Sequence, residues 1–133
     1  MDKHDETFEK ANMFLLDLLT AYDMSGNECI LNTARDFAEW ISTASDDEFP
    51  YAIRTLNLLQ VIKRMRAFNE DEQKTLYSIL AEKDYPNSAM VGAYLWLEQQ
   101  TPAEIYFAKM TPEEQSEFMK YPIFHFWKKS TGQ

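Results

Sequence analysis

The stretch FEKANMFLLDLLTAY at residues 8–22 repeats apolar side chains at steps of three and four residues. This is the period of an α-helix with one buried face, because 3.6 residues complete a turn. Phe8, Leu15 and Leu19 share that face, whereas Glu9 and Asp17 fall between the apolar positions. The pattern predicts a helix over about residues 5–22, and the same period recurs along the rest of the chain.

Stop and start signals divide the following residues into two more helices. Gly26 suits the left-handed residue after a helix, and Asn27 suits an N-cap. A second helix is therefore predicted from there to about Ser42. Acids at 46–48 precede Pro50, which fits a first helical turn because proline lacks the N–H that would be unsatisfied there. A third helix is predicted from Pro50 to about Met65.

Further helix starts are predicted in the second half of the chain. Asn69 is followed three residues later by an acid, which is the pattern of a reciprocal cap. Residues 87 and 88 are candidate caps after Pro86, and Thr101 and Thr111 each precede a proline at a first helical position. Pro122 is predicted to end the last helix, leaving residues 123–127 irregular or extended.

The fold class follows from this period. No segment alternates apolar and polar residues between hairpin turns, and three glycines are few for a sheet protein. A chain of 133 residues has the usual size of one domain. We therefore predict an all-α protein: a single domain over 1–133 that forms a compact bundle of about six to seven helices with short loops and no sheet.

Charge is unevenly distributed along the chain. The formal net charge is −9, and residues 1–50 hold twelve Asp/Glu against three Lys/Arg. Such a field repels nucleic acid and attracts a basic partner. Residues 51–66 hold four cations and no acid. An acidic lipid or nucleic-acid surface is one interpretation of that stretch, but the surrounding negative charge favours neutralisation inside the fold, by the acidic N-terminal helices.

The sequence favours a protein of the cytoplasm. Cys29 is the only cysteine, so no disulfide forms within the chain, and it is expected to be a small buried residue. The N-terminus carries acids where a secretory signal needs a positive flank and an apolar run, and about 18 uninterrupted apolar residues occur nowhere. No membrane association is predicted.

Residue patterns for catalysis or metal binding are weak. His4 and His125 are the only imidazoles, and neither lies three or four residues from the other or from Cys29. Acidic pairs occur at predicted helix starts, where they stabilise the positive end of the helix. We predict no enzyme, no metal and no cofactor. Core positions are expected for the following residues: Trp40, Trp96, Met13, Met65, Met90 and Met119.

The leading functional hypothesis is a binding protein whose acidic face neutralises a basic protein partner. The carboxylates of the first fifty residues are predicted to form one exposed patch that resembles a phosphate array. In size, charge and helicity the chain is similar in class to small acidic immunity or antitoxin proteins that bacteria pair with cationic nuclease toxins, and to phage-encoded acidic inhibitors. The candidate partner-binding residues are Asp5, Glu6, Glu9, Asp17, Asp23, Glu28, Asp36, Glu39, Asp46, Asp47 and Glu48.

Two alternatives belong to other functional classes. A helical scaffold or adaptor would hold a peptide in an apolar groove, with the aromatic tail at 123–127 as its wall. An enzyme would pair His125 with a nearby acid. The salt dependence of binding distinguishes the first alternative from the leading hypothesis. Association with an acidic binding face slows steeply as ionic strength rises, whereas association with an apolar groove does not.

Overall fold

A computed structural model describes residues 3–45, 47–82 and 85–130, and within these ranges it contains helices and no strand. The all-α prediction is confirmed. The predicted count of six to seven helices was low, since the described ranges contain eight. They are α1 (Lys3–Ser25), α2 (Glu28–Ile41), α3 (Tyr51–Met65), α4 (Glu70–Glu82), α5 (Asn87–Trp96), α6 (Gln100–Ala108), α7 (Pro112–Phe118) and α8 (Pro122–Ser130).

The chain groups into two compact units, Met1–Met65 and Arg66–Gln133. Helices α1 to α3 belong to the first unit, and α4 to α8 belong to the second. Each unit contains buried apolar side chains of its own. The single domain over 1–133 stays a prediction, and the two units are described separately.

The core of the first unit is formed by the predicted apolar face of α1 and by residues of α2. Leu15 and Leu19 are fully buried, as are Ala34 and Ile41 of α2. Phe8 contacts the ring of Trp40 and Phe14 contacts the ring of Phe37. Because residues early in α1 meet residues late in α2, the two helices are antiparallel. We call residues 3–41 the α1–α2 hairpin.

The turn of this hairpin has the predicted chemistry. Gly26 has a φ of 70°, the left-handed conformation in which a Cβ atom is strained. Its N–H donates to the Tyr22 carbonyl at 2.7 Å. Asn27 is the N-cap of α2, and its side-chain oxygen accepts from the Cys29 N–H at 2.9 Å. The stop and restart predicted at these residues are confirmed.

The second unit has a core rich in aromatic residues. Trp96, Phe118 and Trp127 are buried. Phe107 lies at the centre of a ring cluster, with centroid distances of 5.9 Å to Phe118 and 5.7 Å to Trp127. Such tilted and edge-to-face arrangements suit the ring quadrupoles. Residues from three helices, α6, α7 and α8, therefore share one apolar cluster.

Two helix starts in this unit match the sequence prediction. At α4, Asn69 accepts from the Glu72 N–H, and the Glu72 carboxylate accepts from the Asn69 N–H, both at 2.9 Å. At α7, Thr111 and Glu114 form the same reciprocal arrangement. Each pair satisfies amide groups that the helix itself leaves without a partner.

Three other boundaries differ from the prediction. The N-cap residue of α5 is Pro86, and no side-chain hydrogen bond caps this helix, so residues 87 and 88 are not its caps. Helix α6 begins at Gln100, so Thr101 lies inside its first turn and is not its cap. Pro122 is the first residue of α8, so residues 123–127 are helical and not irregular or extended as predicted. A proline that ends one helix can open the next, because the first turn needs no N–H from it.

Glu72 allows a prediction about acid sensitivity. Its carboxylate accepts hydrogen bonds of 2.8 and 2.7 Å from Arg66. The Arg66 hydrogen bond lowers the pKa of Glu72 from its ordinary value, although burial opposes the shift. A lowered pKa in the folded state means that this stabilisation is present above the ordinary glutamate value of about 4.3 and is lost as the pH falls through the folded pKa.

An NMR titration of the Glu72 side-chain carbonyl should therefore give a midpoint below that ordinary value. The Arg66→Ala variant should move the midpoint upward, because it removes the largest cause of the shift. A wild-type midpoint at or above the ordinary value, or one that Arg66→Ala leaves unchanged, would contradict this account of the pair.

Candidate partner-binding surface

Three predicted carboxylates of α1 are exposed but differ in their distance from the core: Glu9, Asp17 and Asp23. At about 100° per residue, Asp23 lies roughly 40° from the buried Leu19 around the helix axis, whereas Glu9 lies roughly 80° and Asp17 roughly 160° from it. Asp23 therefore lies at the edge of the buried face, beside a neighbouring helix.

The neighbouring helix is α3, whose Arg64 forms a two-pronged ion pair with Asp23. The Arg64 Nε and Nη2 atoms donate to the two Asp23 oxygens at 2.7 Å each. The Arg64 side chain is 3% exposed and the Asp23 side chain 33%. Arg64 also donates to the Gln60 carbonyl at 2.9 Å. Internal neutralisation of the basic stretch by an acidic N-terminal helix is confirmed for Arg64.

A buried ladder of amides continues this contact between α1 and α3. Asn57 donates through its side-chain nitrogen to the side-chain oxygen of Asn12 on α1. Gln60 in turn donates to the Asn57 side-chain oxygen at 2.9 Å. Asn57 and Gln60 are both buried. Since buried polar groups are costly unless they are paired, the ladder and the ion pair favour one position of α3 along α1.

The three predicted carboxylates of α2 are all exposed. Arg35 lies 3.6 Å from Asp36 and 4.0 Å from Glu39, whose side chains are 72% and 63% exposed. Ion pairs this exposed and this long contribute little and are screened by salt. Glu28 occupies the first turn of α2, where the helix end favours an acid. All three carboxylates remain accessible to a binding partner.

Two of the remaining predicted residues, Asp47 and Glu48, follow α2 in the chain. Glu48 accepts from the Ser45 N–H at 3.0 Å and from its hydroxyl at 3.2 Å, so it closes a local turn. Asp47 is exposed. Asp46 lies outside the described residues. Asp5 and Glu6 lie in α1, and their side chains are not among those described.

The hairpin also exposes aromatic residues, which sequence reasoning missed. Trp40 is 44% exposed and Met13 is 67% exposed, so both were wrongly assigned to the core. Phe14, for which no position was predicted, is 48% exposed. Met65 and Met119 are exposed as well, whereas Met90 and Trp96 are buried as predicted. The exposure of Phe14 and Met13 could have been predicted from their positions around the helix axis. Both lie about 90° or more from the mean direction of the face formed by Phe8, Leu15 and Leu19.

Cys29 was predicted to be buried and is not, and His125 lies at the surface. Cys29 is exposed, because position 29 lies on the outward side of α2. His125 is exposed on α8, with its ring 6.1 Å from that of Phe124. Within the described ranges, no group of three or more His, Cys, Asp or Glu side chains could hold a metal ion. None of the helices in those ranges is long and apolar enough to cross a membrane.

The second unit contains a half-open pocket of about 140 Å³, lined by Ser88, Met110, Glu114, Glu117, Phe118 and Tyr121. The Tyr121 hydroxyl donates to Glu117 at 3.4 Å, a long contact. Burial and then the Glu117 charge raise the pKa of Tyr121 above its ordinary value. Tyr121 therefore stays protonated at neutral pH, which does not favour a role for it as a nucleophile or a base.

The strongest candidate site is thus the surface of the α1–α2 hairpin. We call five of its exposed acids the hairpin carboxylates: Glu9, Asp17, Glu28, Asp36 and Glu39. Among the residues that the structure describes, their shortest ion-pair contact is the 3.6 Å between Asp36 and Arg35. They lie on two helices that a shared apolar core holds together. No family model matches the chain, and comparisons with curated proteins and with solved structures found no match.

Proposed function

We propose that this chain is an acidic, non-enzymatic binding protein of the cytoplasm that neutralises a basic protein partner. The most specific form of the proposal is a bacterial immunity or antitoxin-type inhibitor of a cationic, nuclease-like toxin. The observation that supports it is the charge of the hairpin, where residues 7–41 carry six acidic and two basic side chains and one of the six acids, Asp23, pairs with Arg64 of α3.

The proposal depends on charges held in fixed positions. The hairpin carboxylates project from helices whose inner faces pack Leu15, Leu19, Leu31 and Ile41. A partner therefore meets acids whose backbone positions are already set, which lowers the entropy lost on binding. An excess of one sign also draws an opposite charge from beyond contact distance, over about 8 Å at physiological ionic strength. Fast capture is what an inhibitor of a toxic enzyme requires.

The structure narrows the set of binding residues in this proposal. Asp23 is engaged by Arg64 and Glu48 closes a turn, so both are assigned to folding. Arg35 lies among the hairpin carboxylates, but its contacts of 3.6 and 4.0 Å are loose. A guanidinium of the partner with better geometry can displace it at little cost.

An affinity capture at two salt concentrations tests the proposal. Immobilised chain should retain a protein of basic isoelectric point from cells that produce both, at about 50 mM salt. It should release much of that protein at about 500 mM, where the screening length is only a few ångströms. Mass spectrometry identifies the retained protein. The matched control is a hairpin variant with the five hairpin carboxylates changed to amides, which should retain much less of it.

Two outcomes would overturn the proposal. One is a retained partner that is itself acidic. The other is retention that neither salt nor the amide changes alter, which would favour the adaptor alternative. The adaptor alternative places residues 123–127 at the wall of a peptide-binding groove. In the structure these residues belong to α8, and the Trp127 side chain is buried.

A further inference from the structure

We propose that the basic partner presents an amphipathic helix, and that this helix docks along a line of rings between α1 and α2. We call this line the aromatic seam: Phe8, Phe14, Phe37 and Trp40. The proposal rests on the proposed function, because it specifies which part of a cationic partner the hairpin binds. The aromatic seam contacts the apolar face of the partner helix, and the neighbouring acids favour a partner helix that is positively charged.

The seam presents exposed rings that are backed by other rings. Trp40 and Phe14 are 44% and 48% exposed, whereas Trp96 and Trp127 of the second unit are 1% and 4% exposed. Trp40 lies against Phe8 with a centroid distance of 4.8 Å, and Phe14 meets Phe37 edge-to-face at 5.1 Å. A ring that is already packed on one side loses little freedom when a partner covers the other side.

The spacing of the ring pairs suits a helix. Phe8 and Phe14 are six residues apart on α1, about 9 Å along its axis, whereas their partners Trp40 and Phe37 are three residues apart on α2, about 4.5 Å. The two ring pairs are therefore separated by roughly 4.5 to 9 Å along the hairpin. Apolar side chains at positions i and i+3 or i+4 of a partner helix are about 4.5 to 6 Å apart along its axis, which fits this range. Amphipathic helices bound in grooves use anchors at such positions.

Charge complementarity identifies the partner helix as basic. Asp17 follows Phe14 by three residues and Asp36 precedes Trp40 by four, so each acid lies about one turn from an exposed ring. Both are exposed. The nearby cations are Lys10 on α1 and Arg35, which lies 3.6 Å from Asp36. Over residues 7–41, without Asp23, which pairs with Arg64, acids outnumber cations by five to two, so lysine and arginine suit the flanks of the incoming helix.

Two synthetic peptides test this proposal with the whole chain. Both are helical 18-residue peptides with the same leucine stripe and a fluorescent label, and they differ in having lysine or glutamate at the polar positions. Fluorescence anisotropy should show binding of the lysine peptide only. Phe14→Ala and Trp40→Ala should each weaken that binding by about tenfold, as expected for an aromatic anchor. Tyr77→Ala and Ile105→Ala, at 52% and 53% exposed positions of the second unit, are the matched controls.

The proposal fails if the lysine peptide does not bind, if Phe14→Ala and Trp40→Ala bind it as wild type does, or if the controls weaken it equally. Equal binding of the glutamate peptide would also overturn it, because docking would then ignore charge. Circular dichroism establishes that each variant is folded. If the seam variants capture the basic partner normally and the amide variant does not, the docking proposal fails while the proposed function stands.

Discussion

Changing the five hairpin carboxylates together to amides should slow association with the basic partner roughly ten- to a hundredfold at low salt. The amides keep the size and polarity of the side chains, so the change is mainly one of charge. Exposed charges at a binding surface act chiefly on the association rate, because they steer the approach of the partner. The dissociation rate should change much less.

Stopped-flow mixing of the captured partner with each variant measures this rate. The amide at position 28 should cost a few tenths of a kcal/mol, since Glu28 lies in the first turn of α2. Thermal unfolding therefore accompanies the kinetics and shows that the variant is folded. An unchanged association rate, with weaker binding entirely due to faster dissociation, would contradict electrostatic steering by these residues.

Replacing Asp23 by alanine should lower the free energy of unfolding by about 3 kcal/mol, the low end of the range for breaking a buried ion pair. Arg64, 3% exposed, would lose the carboxylate that accepts two of its hydrogen bonds at 2.7 Å. We take the low end because the Asp23 side chain is 33% exposed, so that water can reach part of the site. Urea unfolding measures the change.

A double-mutant cycle with Arg64→Ala isolates the pair, and it should give a coupling energy above about 1 kcal/mol. Asp36→Ala is the control, since its side chain is 72% exposed, and it should cost about 0.5 kcal/mol or less. Asp23→Ala should leave the association rate with the basic partner nearly unchanged. A loss of stability no larger than that of Asp36→Ala would show that Asp23 does not have the structural role assigned to it.

Local signals in the sequence predicted most of the helices. The stop at Gly26 and the caps at Asn69 and Thr111 involve groups within four residues, so the sequence shows both partners of each contact. Thr101 and Pro122 carry similar signals but were misread. A threonine before a proline is typical of a cap, and proline is compatible with both an end and a start. Contacts beyond the segment decide between these readings.

The candidate site was less predictable because its contacts are distant in sequence. Asp23 and Arg64 are 41 residues apart, so their pairing is invisible in the local pattern. Sequence reasoning therefore grouped Asp23 with the exposed acids. Trp40 was assigned to the core, and the exposure of Phe14 was not predicted. Their exposure follows from helical phase together with the antiparallel packing of α1 on α2, which only the structure provides.

The central claim is that the position of the hairpin carboxylates, and not the total charge of the chain, attracts the basic partner. A second amide variant with the same net charge tests it most directly, with five exposed acids changed in the second unit: Glu70, Asp71, Glu82, Glu104 and Glu113. We expect the hairpin variant to lose roughly ten- to a hundredfold in association rate and the second-unit variant to lose less than about threefold. Equal losses in the two variants would contradict the claim.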